Sequence, residues 1–271
     1  MLEGAHRVKM AVDVDDTVAG GILNEHLGHY ARLFGNSRFT GPNVPTIEIT
    51  PEDIAAAERY GSTFNHPRII AFREQGTGII DPESDQEKVF QRARRLIRTS
   101  RSVHRALSPI VGASEGIAYL SSSGIENIGY HTVRPPEVET VTRDWLRRNN
   151  FPNPDSVTRT DSPKGKVEAL IAGFMQPDES GKLPTIVLID DGIAKLLEAI
   201  KVMYQQRPED PQLRDQIHHL VLVGFGPHGD LEPDLYAFAK QVGLHVLRLP
   251  SWSIDDVEHL EKAIFAIAAT E

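Results

Sequence analysis

Two aspartates one residue apart, Asp13 and Asp15, are the residues of this chain best placed to do chemistry. They follow the apolar residues 10–12, and Thr17 and a pair of glycines come soon after them. Side chains alternate along a strand, so the two carboxylates begin on one face, where they repel unless a proton or cation lies between them. Such a pair at the carboxyl end of a strand indicates a hard metal ion and catalysis. Asp and Thr also favour turns and helix caps, which remains the alternative interpretation.

Three later segments carry polar side chains where a predicted strand ends or a predicted helix begins. The two strands are predicted over residues 125–132 and 184–189, and the helix begins near residue 164. The polar residues at these places are Thr132, Lys164, Lys166, Asp190 and Asp191. A lone threonine at a strand end is also common for ordinary hydrogen bonding, so its role depends on the other groups.

From about residue 109, short apolar runs alternate with helical segments. Strands are predicted over 125–132, 156–160, 184–189, 220–223 and 245–249. The segments between and after them predict helices over 137–148, 164–174, 193–204, 232–242 and 254–268. Together with the strand before Asp13, this alternation argues for an α/β fold with a doubly wound parallel sheet. Ligands bind beyond the carboxyl ends of such strands, where these polar groups would lie.

Residues 22–107 show a different, mainly helical pattern. Helices are predicted over 22–34, from Pro51 to about Gly61 and over about 84–99, with loops between them. Thr50 and Pro51 make a favourable helix start, because a hydroxyl can cap the helix and proline fits its first turn. This segment is therefore expected to be an insertion over one edge of the site.

The composition has an acidic balance and no cysteine. The chain has 271 residues, with 29 Lys and Arg against 38 Asp and Glu, and a formal net charge of -9. This charge disfavours broad binding to nucleic acid or to an acidic membrane, both of which need basic surface. The lack of cysteine excludes thiol catalysis, disulfides and cysteine metal sites. No apolar run approaches the roughly 20 residues that span a bilayer, and no signal-peptide core is present, so a cytoplasmic location is the default expectation.

In their order along the chain, these groups resemble the four motifs of the haloacid dehalogenase (HAD) superfamily of phosphohydrolases. The matching residues are, in chain order, Asp13, Asp15 and Thr17, then Thr132, then Lys164 or Lys166, and finally Asp190 and Asp191. The resemblance covers about residues 8–30 and 110–225. It implies a HAD-like Rossmannoid core over residues 1–20 and 109–271, with a mainly helical cap domain over residues 21–108.

The resemblance also implies a role for each acid. Asp13 would attack phosphorus and form an aspartyl phosphate, and Asp15 would act as general acid and then as general base. Mg²⁺ would be held by the carboxylate of Asp13, the main-chain carbonyl of Asp15 and the closing pair of acids. Within that pair, Asp191 is favoured as the direct ligand and Asp190 as its support.

The remaining groups would bind and neutralise the substrate. Thr132 would donate its hydroxyl to a phosphoryl oxygen, and Thr17 is assigned to substrate binding with it. Lys166 is favoured as the catalytic lysine because it fits the first turn of its helix better than Lys164, which would bind substrate or remain a surface lysine. Arg134 either clamps an anionic substrate or is a surface arginine beside two prolines.

The function that the resemblance implies is a Mg²⁺-dependent phosphatase acting on a small phosphate monoester. A phosphomutase or another HAD-type phosphoryl transferase shares the covalent step and stays an alternative. A non-catalytic phosphate-binding or regulatory protein on a HAD-like core is the alternative from a different class. The expected partner is a small phosphorylated substrate, with neither nucleic acid nor a membrane involved, and the oligomeric state is left open.

Overall fold

In the computed structural model, which describes residues 7–57, 65–226 and 232–270, six strands form one parallel sheet and two short strands form another. The strands are β1 (Val8–Val12), β2 (Ala19–Gly20), β3 (Ser108–Pro109), β4 (Glu126–Thr132), β5 (Val157–Arg159), β6 (Thr185–Asp190), β7 (Leu220–Phe225) and β8 (His245–Leu249). The large sheet has the order β5-β4-β1-β6-β7-β8, and every neighbouring pair in it is parallel. With helices along the sheet, this architecture confirms the predicted α/β fold.

β1 lies inside the sheet because its residues are apolar toward both faces. Met10, Ala11 and Val12 are all fully buried. Val12 lies opposite Tyr130 of β4 on one side and Ile189 of β6 on the other. The residues that follow these three strands therefore leave the sheet at the same edge. The chain turns from one half of the sheet to the other around β1, which is the kind of switch point at which such folds bind ligands.

The described residues fall into two compact units, one comprising Met1–Ala19 and Pro109–Glu271 and the other Gly20–Ser108. The helices of the Gly20–Ser108 unit are α1 (Ile22–Phe34), α2 (Ser37–Thr40), α3 (Pro51–Ala55), α4 (Pro67–Glu74), α5 (Asp85–Arg98) and α6 (Arg101–Ala106). They enclose an aromatic core, in which the ring centroid of Phe34 lies 5.3 Å from that of Tyr30 and 4.8 Å from that of Phe72. This unit therefore has a hydrophobic core of its own.

Two predictions for this smaller unit are wrong in extent. Thr50 caps α3 as expected, since its hydroxyl accepts a 3.2 Å hydrogen bond from the backbone N–H of Asp53, but the helix ends at Ala55. The end predicted near Gly61 lies outside the described residues. The loop predicted before residue 84 contains α4, which begins with proline in its first turn and buries two apolar side chains.

The larger unit carries the remaining helices on its sheet. These are α7 (Ala113–Ser122), α8 (Glu139–Arg148), α9 (Pro163–Phe174), α10 (Ile193–Gln206), α11 (Pro211–His218), α12 (Pro233–Gln241) and α13 (Ile254–Ala268), with a 3₁₀ turn at Pro136–Val138 before α8. α11 is absent from the predicted elements, although Asp210 caps it by accepting from two backbone N–H groups. Among the described helices, none is both long and apolar enough to cross a bilayer.

Candidate active site

The site begins at the turn that follows β1. The backbone N–H of Asp13 donates to the carbonyl of Ile189 at 2.8 Å, which continues the pairing of β1 with β6 for one residue. Asp16 then adopts a left-handed conformation with φ of 54°, and its N–H donates to the carbonyl of Ala19 at 2.8 Å. Aspartate tolerates this conformation better than most residues. Asp16 is thus a turn residue, and it directly follows Asp15.

Lys166 connects Asp13, which follows β1, with Asp190, which ends β6. Its buried Nζ donates to Asp13 Oδ1 at 2.7 Å and to Asp190 Oδ2 at 2.6 Å. The lysine lies in the first turn of α9, whose start is capped by the hydroxyl of Ser162. Lys164 instead contacts Glu168 at 3.6 Å, and 42% of its side chain is exposed. The structure therefore brings Lys166, and not Lys164, to the acids.

The electrostatics of Lys166 follow from this contact. Burial alone would lower its pKa, because a charged amine loses its hydration. The carboxylates of Asp13 and Asp190 outweigh that effect and raise the pKa of Lys166 above its ordinary value. The lysine is therefore a permanent cation at neutral pH.

Three acids surround a space that suits a cation. Asp13, Asp190 and Asp191 each offer one carboxylate oxygen, and these oxygens all lie within 4.8 Å of one another. Burial raises the pKa of Asp13 well above its usual value, against the effect of Lys166, and the neighbouring acids add to the rise. Burial and Asp190 together raise the pKa of Asp191 to about 7. The cluster thus holds more negative charge than its lysine offsets.

Asp190 and Asp191 differ in which oxygens are engaged. Asp190 accepts from Lys166 through Oδ2 and from the backbone N–H of Gly192 through Oδ1, at 2.7 Å. Asp191 is held by its own backbone N–H, which donates to Thr17 Oγ1 at 3.0 Å. No described residue donates a hydrogen bond to its carboxylate. Asp191 is therefore the member of the pair whose oxygens are open to a ligand.

Thr17 and Thr132 take different places around the acids. Thr17 is fully buried, and its hydroxyl holds the Asp191 loop by accepting from the backbone N–H of Asp191. Thr132 ends β4, and its Oγ1 accepts from the backbone N–H of Arg134 at 3.2 Å. Among the described residues, no acceptor takes the hydroxyl proton of Thr132. That proton is available to an incoming oxygen.

Arg134 is buried, so its interpretation as a surface arginine is wrong. Its guanidinium forms an ion pair with the carboxylate of Asp15, to which its Nε donates at 2.9 Å. Binding of a substrate by Arg134 would require it to leave that carboxylate. The structure therefore connects the end of β4 to the second aspartate of the β1 turn.

Two further residues contribute to the site without a signal in the sequence pattern. The indole Nε1 of Trp252, from the loop after β8, donates to the main-chain carbonyl of Thr17 at 2.8 Å. The hydroxyl of Thr142, on α8, accepts from Nη1 of Arg134 at 3.0 Å. A buried tryptophan and a helical threonine both read as ordinary core residues, so only the fold reveals these contacts.

His131 adds no charge to this site. Its ring is fully buried beside Thr132 in β4 and packs against Phe174 with 6.0 Å between ring centroids. Burial and the positive charge of Lys166 lower the pKa of His131 to about 4. The imidazole is thus neutral at physiological pH.

No protein-family model and no curated protein sequence matches this chain. Among solved structures, a HAD family hydrolase from Deinococcus radiodurans R1, with bound phosphate and sodium, matches at 14% identity and a TM-score of 0.48 over 96% of this chain and 98% of that chain. A HAD-superfamily hydrolase of subfamily IA, variant 1, from Geobacter sulfurreducens PCA matches at 13% identity and a TM-score of 0.45 over 89% and 98%. A hydrolase from Pseudomonas syringae matches at 12% identity and a TM-score of 0.47 over 94% and 99%. In fold, the chain resembles these hydrolases. Identities this low carry no activity over to this chain.

Proposed function

We propose that this chain is a Mg²⁺-dependent phosphatase that hydrolyses a small phosphate monoester through an aspartyl-phosphate intermediate. The observation that carries the proposal is the contact of buried Lys166 with both Asp13 and Asp190, beside Asp191, at the carboxyl edge of a parallel sheet. A carboxylate attacks a phosphate ester only where positive charge offsets the repulsion between the two anions. Lys166 supplies such charge at a distance of 2.7 Å from Asp13.

In the first step, a carboxylate oxygen of Asp13 attacks the phosphorus atom, and the bond from phosphorus to the ester oxygen breaks. The electron pair of that bond stays on the ester oxygen, which takes a proton from the carboxyl group of Asp15 and leaves as an alcohol. Lys166 orients Asp13 through Oδ1, and the hydroxyl of Thr132 donates to a phosphoryl oxygen. The product of this step is phosphorylated Asp13.

In the second step, a water molecule attacks the phosphorus of the aspartyl phosphate. Asp15, now a carboxylate, takes a proton from that water, and the bond between phosphorus and Asp13 breaks. The electron pair returns to the carboxylate of Asp13, and inorganic phosphate leaves. Both aspartates are then in their starting protonation states, so one water is consumed for each ester.

The acid cluster fits a magnesium ion. Its donors are all oxygens, which Mg²⁺ prefers, and burial and mutual repulsion raise the pKa of Asp13 and that of Asp191. Asp13, Asp191 and the main-chain carbonyl of Asp15 would hold the ion, with Asp190 in support through its contact with Lys166. When bound, the ion supplies positive charge that neutralises the phosphoryl group during its transfer.

The test is phosphate release from a panel of small phosphate monoesters, with Mg²⁺ or with a chelator. The wild-type chain should release phosphate only with Mg²⁺. Asp13→Asn keeps the shape of the side chain but removes the nucleophile, so turnover should fall by about 10³-fold or more. Asp144→Asn, at an exposed carboxylate, is the matched control and should turn over normally. Turnover by Asp13→Asn at the wild-type rate, or unchanged turnover in chelator, would contradict the proposal.

The same panel separates the phosphatase from its two alternatives when the reaction is followed by phosphorus NMR. A phosphomutase would return the phosphoryl group to a substrate hydroxyl, so an isomeric phosphate ester would appear with little inorganic phosphate. A non-catalytic phosphate-binding or regulatory protein would leave every ester unchanged. Inorganic phosphate as the main product is the outcome that the phosphatase predicts.

A further inference from the structure

Arg134 holds Asp15 through a forked ion pair. Its Nε donates to Asp15 Oδ1 at 2.9 Å and to Oδ2 at 3.0 Å, and its Nη2 also donates to Oδ1. Forked contacts between a guanidinium and a carboxylate are strong, and they set the direction of the carboxylate as well as neutralising its charge. Asp15 therefore has a defined orientation.

A second set of contacts fixes the guanidinium itself. Nη1 of Arg134 donates to Thr142 Oγ1 at 3.0 Å, and the hydroxyl of Thr142 donates to the carbonyl of Val138 at 3.0 Å. Thr142 and Val138 are both fully buried. The main chain of Arg134 is tied as well, since its N–H donates to Thr132 Oγ1. The arginine is thus anchored to the end of β4 and to the first turn of α8.

Exposure shows which member of the pair can meet a substrate. Only 2% of the Arg134 side chain is exposed, against 24% of the Asp15 side chain. The guanidinium reaches no substrate while it holds these partners, whereas the Asp15 side chain is partly exposed. Any effect of Arg134 on the reaction must therefore pass through Asp15.

We propose that Arg134, anchored by Thr142, is a positioning residue that aims Asp15 at the leaving oxygen of the substrate. This inference rests on the proposed function, in which that oxygen takes a proton from Asp15 as its bond to phosphorus breaks. When Asp15 carries that proton on Oδ2, its Oδ1 still accepts from Nε and Nη2 of Arg134, so the direction of the carboxyl group is kept. The proton matters most for an alkyl phosphate, because an alkoxide is a poor leaving group, and least for a nitrophenyl phosphate, whose phenolate leaves without one. The arrangement therefore suits the site to alkyl phosphate monoesters.

The experiment compares kcat and KM for an alkyl phosphate from the panel and for p-nitrophenyl phosphate. Arg134→Gln should lower kcat for the alkyl phosphate by about 10- to 100-fold, and by much less for the aryl ester. A displaced catalytic group lowers the rate of the step in which it acts by about this factor. KM and the inhibition constant of inorganic phosphate should not change. Thr142→Val should act in the same direction more weakly, and Thr142→Ser, which keeps the hydroxyl, should restore wild-type values. Arg143→Gln, which removes a partly exposed arginine of α8, is the matched control.

Two results would overturn this inference by itself. Equal losses of kcat for the two esters would show a structural role only. A rise in the inhibition constant of inorganic phosphate would show that Arg134 binds the phosphoryl group itself. If Arg134→Gln does not fold, Thr142→Val carries the same test, since it keeps the arginine and the shape of the threonine. If the wild-type chain releases no phosphate, or if Asp13→Asn hydrolyses esters normally, the proposed function fails together with this inference. If the enzyme needs Asp13 but Arg134→Gln lowers kcat equally for both esters, only this inference fails.

Discussion

Lys166 is a buried cation in contact with two of the three clustered acids. The pKa values show the balance of charge around it. Asp13 and Asp190 raise the pKa of Lys166 against the effect of burial. Burial raises the pKa of Asp191 to about 7. The cluster therefore has affinity for a further positive charge. At the scale of single residues, this imbalance is the physical basis for the metal binding and the phosphate chemistry that we propose.

The two lysines of the α9 start allow a matched test. Lys166→Ala leaves two buried carboxylates without their cation, so kcat should fall at least 100-fold and stability by about 3–5 kcal/mol. Lys164→Ala removes an exposed amine paired with Glu168, so its unfolding free energy should stay within about 0.5 kcal/mol of wild type and its kcat unchanged. Thermal unfolding and phosphate release measure the two effects. Similar losses in both variants would show that the lysine was assigned wrongly.

At the scale of elements, the turn after β1 is held from two directions. Thr17 is the residue held: its hydroxyl accepts from the backbone N–H of Asp191, and its carbonyl accepts from the indole N–H of Trp252. The tryptophan in turn packs on α7, where a Cβ at Gly116 would lie 2.7 Å from its ring. The loops after β1, β6 and β8 therefore share one set of contacts behind the acids.

Removing the indole N–H of Trp252 should weaken the proposed Mg²⁺ site. Trp252→Phe keeps most of the ring but leaves the carbonyl of Thr17 without this donor, at a cost of about 1–3 kcal/mol in stability. Because Thr17 also holds Asp191, we expect weaker Mg²⁺ binding, measured by titration calorimetry. Trp145→Phe, at a buried tryptophan of α8 that stacks on Phe151, is the control for losing a buried indole. Equal Mg²⁺ affinities in the two variants would contradict this role.

At the scale of the whole molecule, we expect the acid cluster to make the stability of the fold depend on pH and on Mg²⁺. Burial, with Asp190 adding to it, raises the pKa of Asp191 from 3.8 to about 7 in the metal-free folded chain. The folded state therefore binds this proton more tightly than the unfolded state does. The resulting stabilisation is fully present below about pH 4 and is lost as the pH rises through about 7.

We expect Asp191→Asn to remove this component of the pH dependence, because asparagine does not titrate. In chelator, the unfolding temperature of the wild-type chain should fall relative to that of the variant as the pH rises from about 4 to about 7. Mg²⁺ should raise the wild-type unfolding temperature more at pH values above that range, since carboxylate ligands must lose their protons to bind it. Parallel pH curves for the two chains would exclude Asp191 as the titrating group.

Much of the larger unit follows from short-range patterns. β8 at 245–249 and α13 at 254–268 coincide with their predicted ranges. Apolar runs and helical spacing involve only neighbouring residues, so they can be recognised in the sequence alone. α4 and α11 escape prediction although each begins with proline, because short helices carry few apolar positions. The choice between Lys164 and Lys166 depends on helix phase: residues two apart point about 200° away from each other, and only the packing of α9 decides which side faces the acids.

The alternation of predicted strands and helices determined by itself that an α/β sheet would gather the acids, the threonine and the lysine at one edge, since parallel strands all end there. The sequence left undecided what each side chain would touch. Arg134 and Asp15 are 119 residues apart, and Trp252 and Thr17 are 235 apart. Contacts over such separations depend on how the strands are ordered and how the helices pack on them. Local patterns carry no such distances, so only the tertiary structure decided that an arginine holds Asp15 and that a tryptophan supports the first turn.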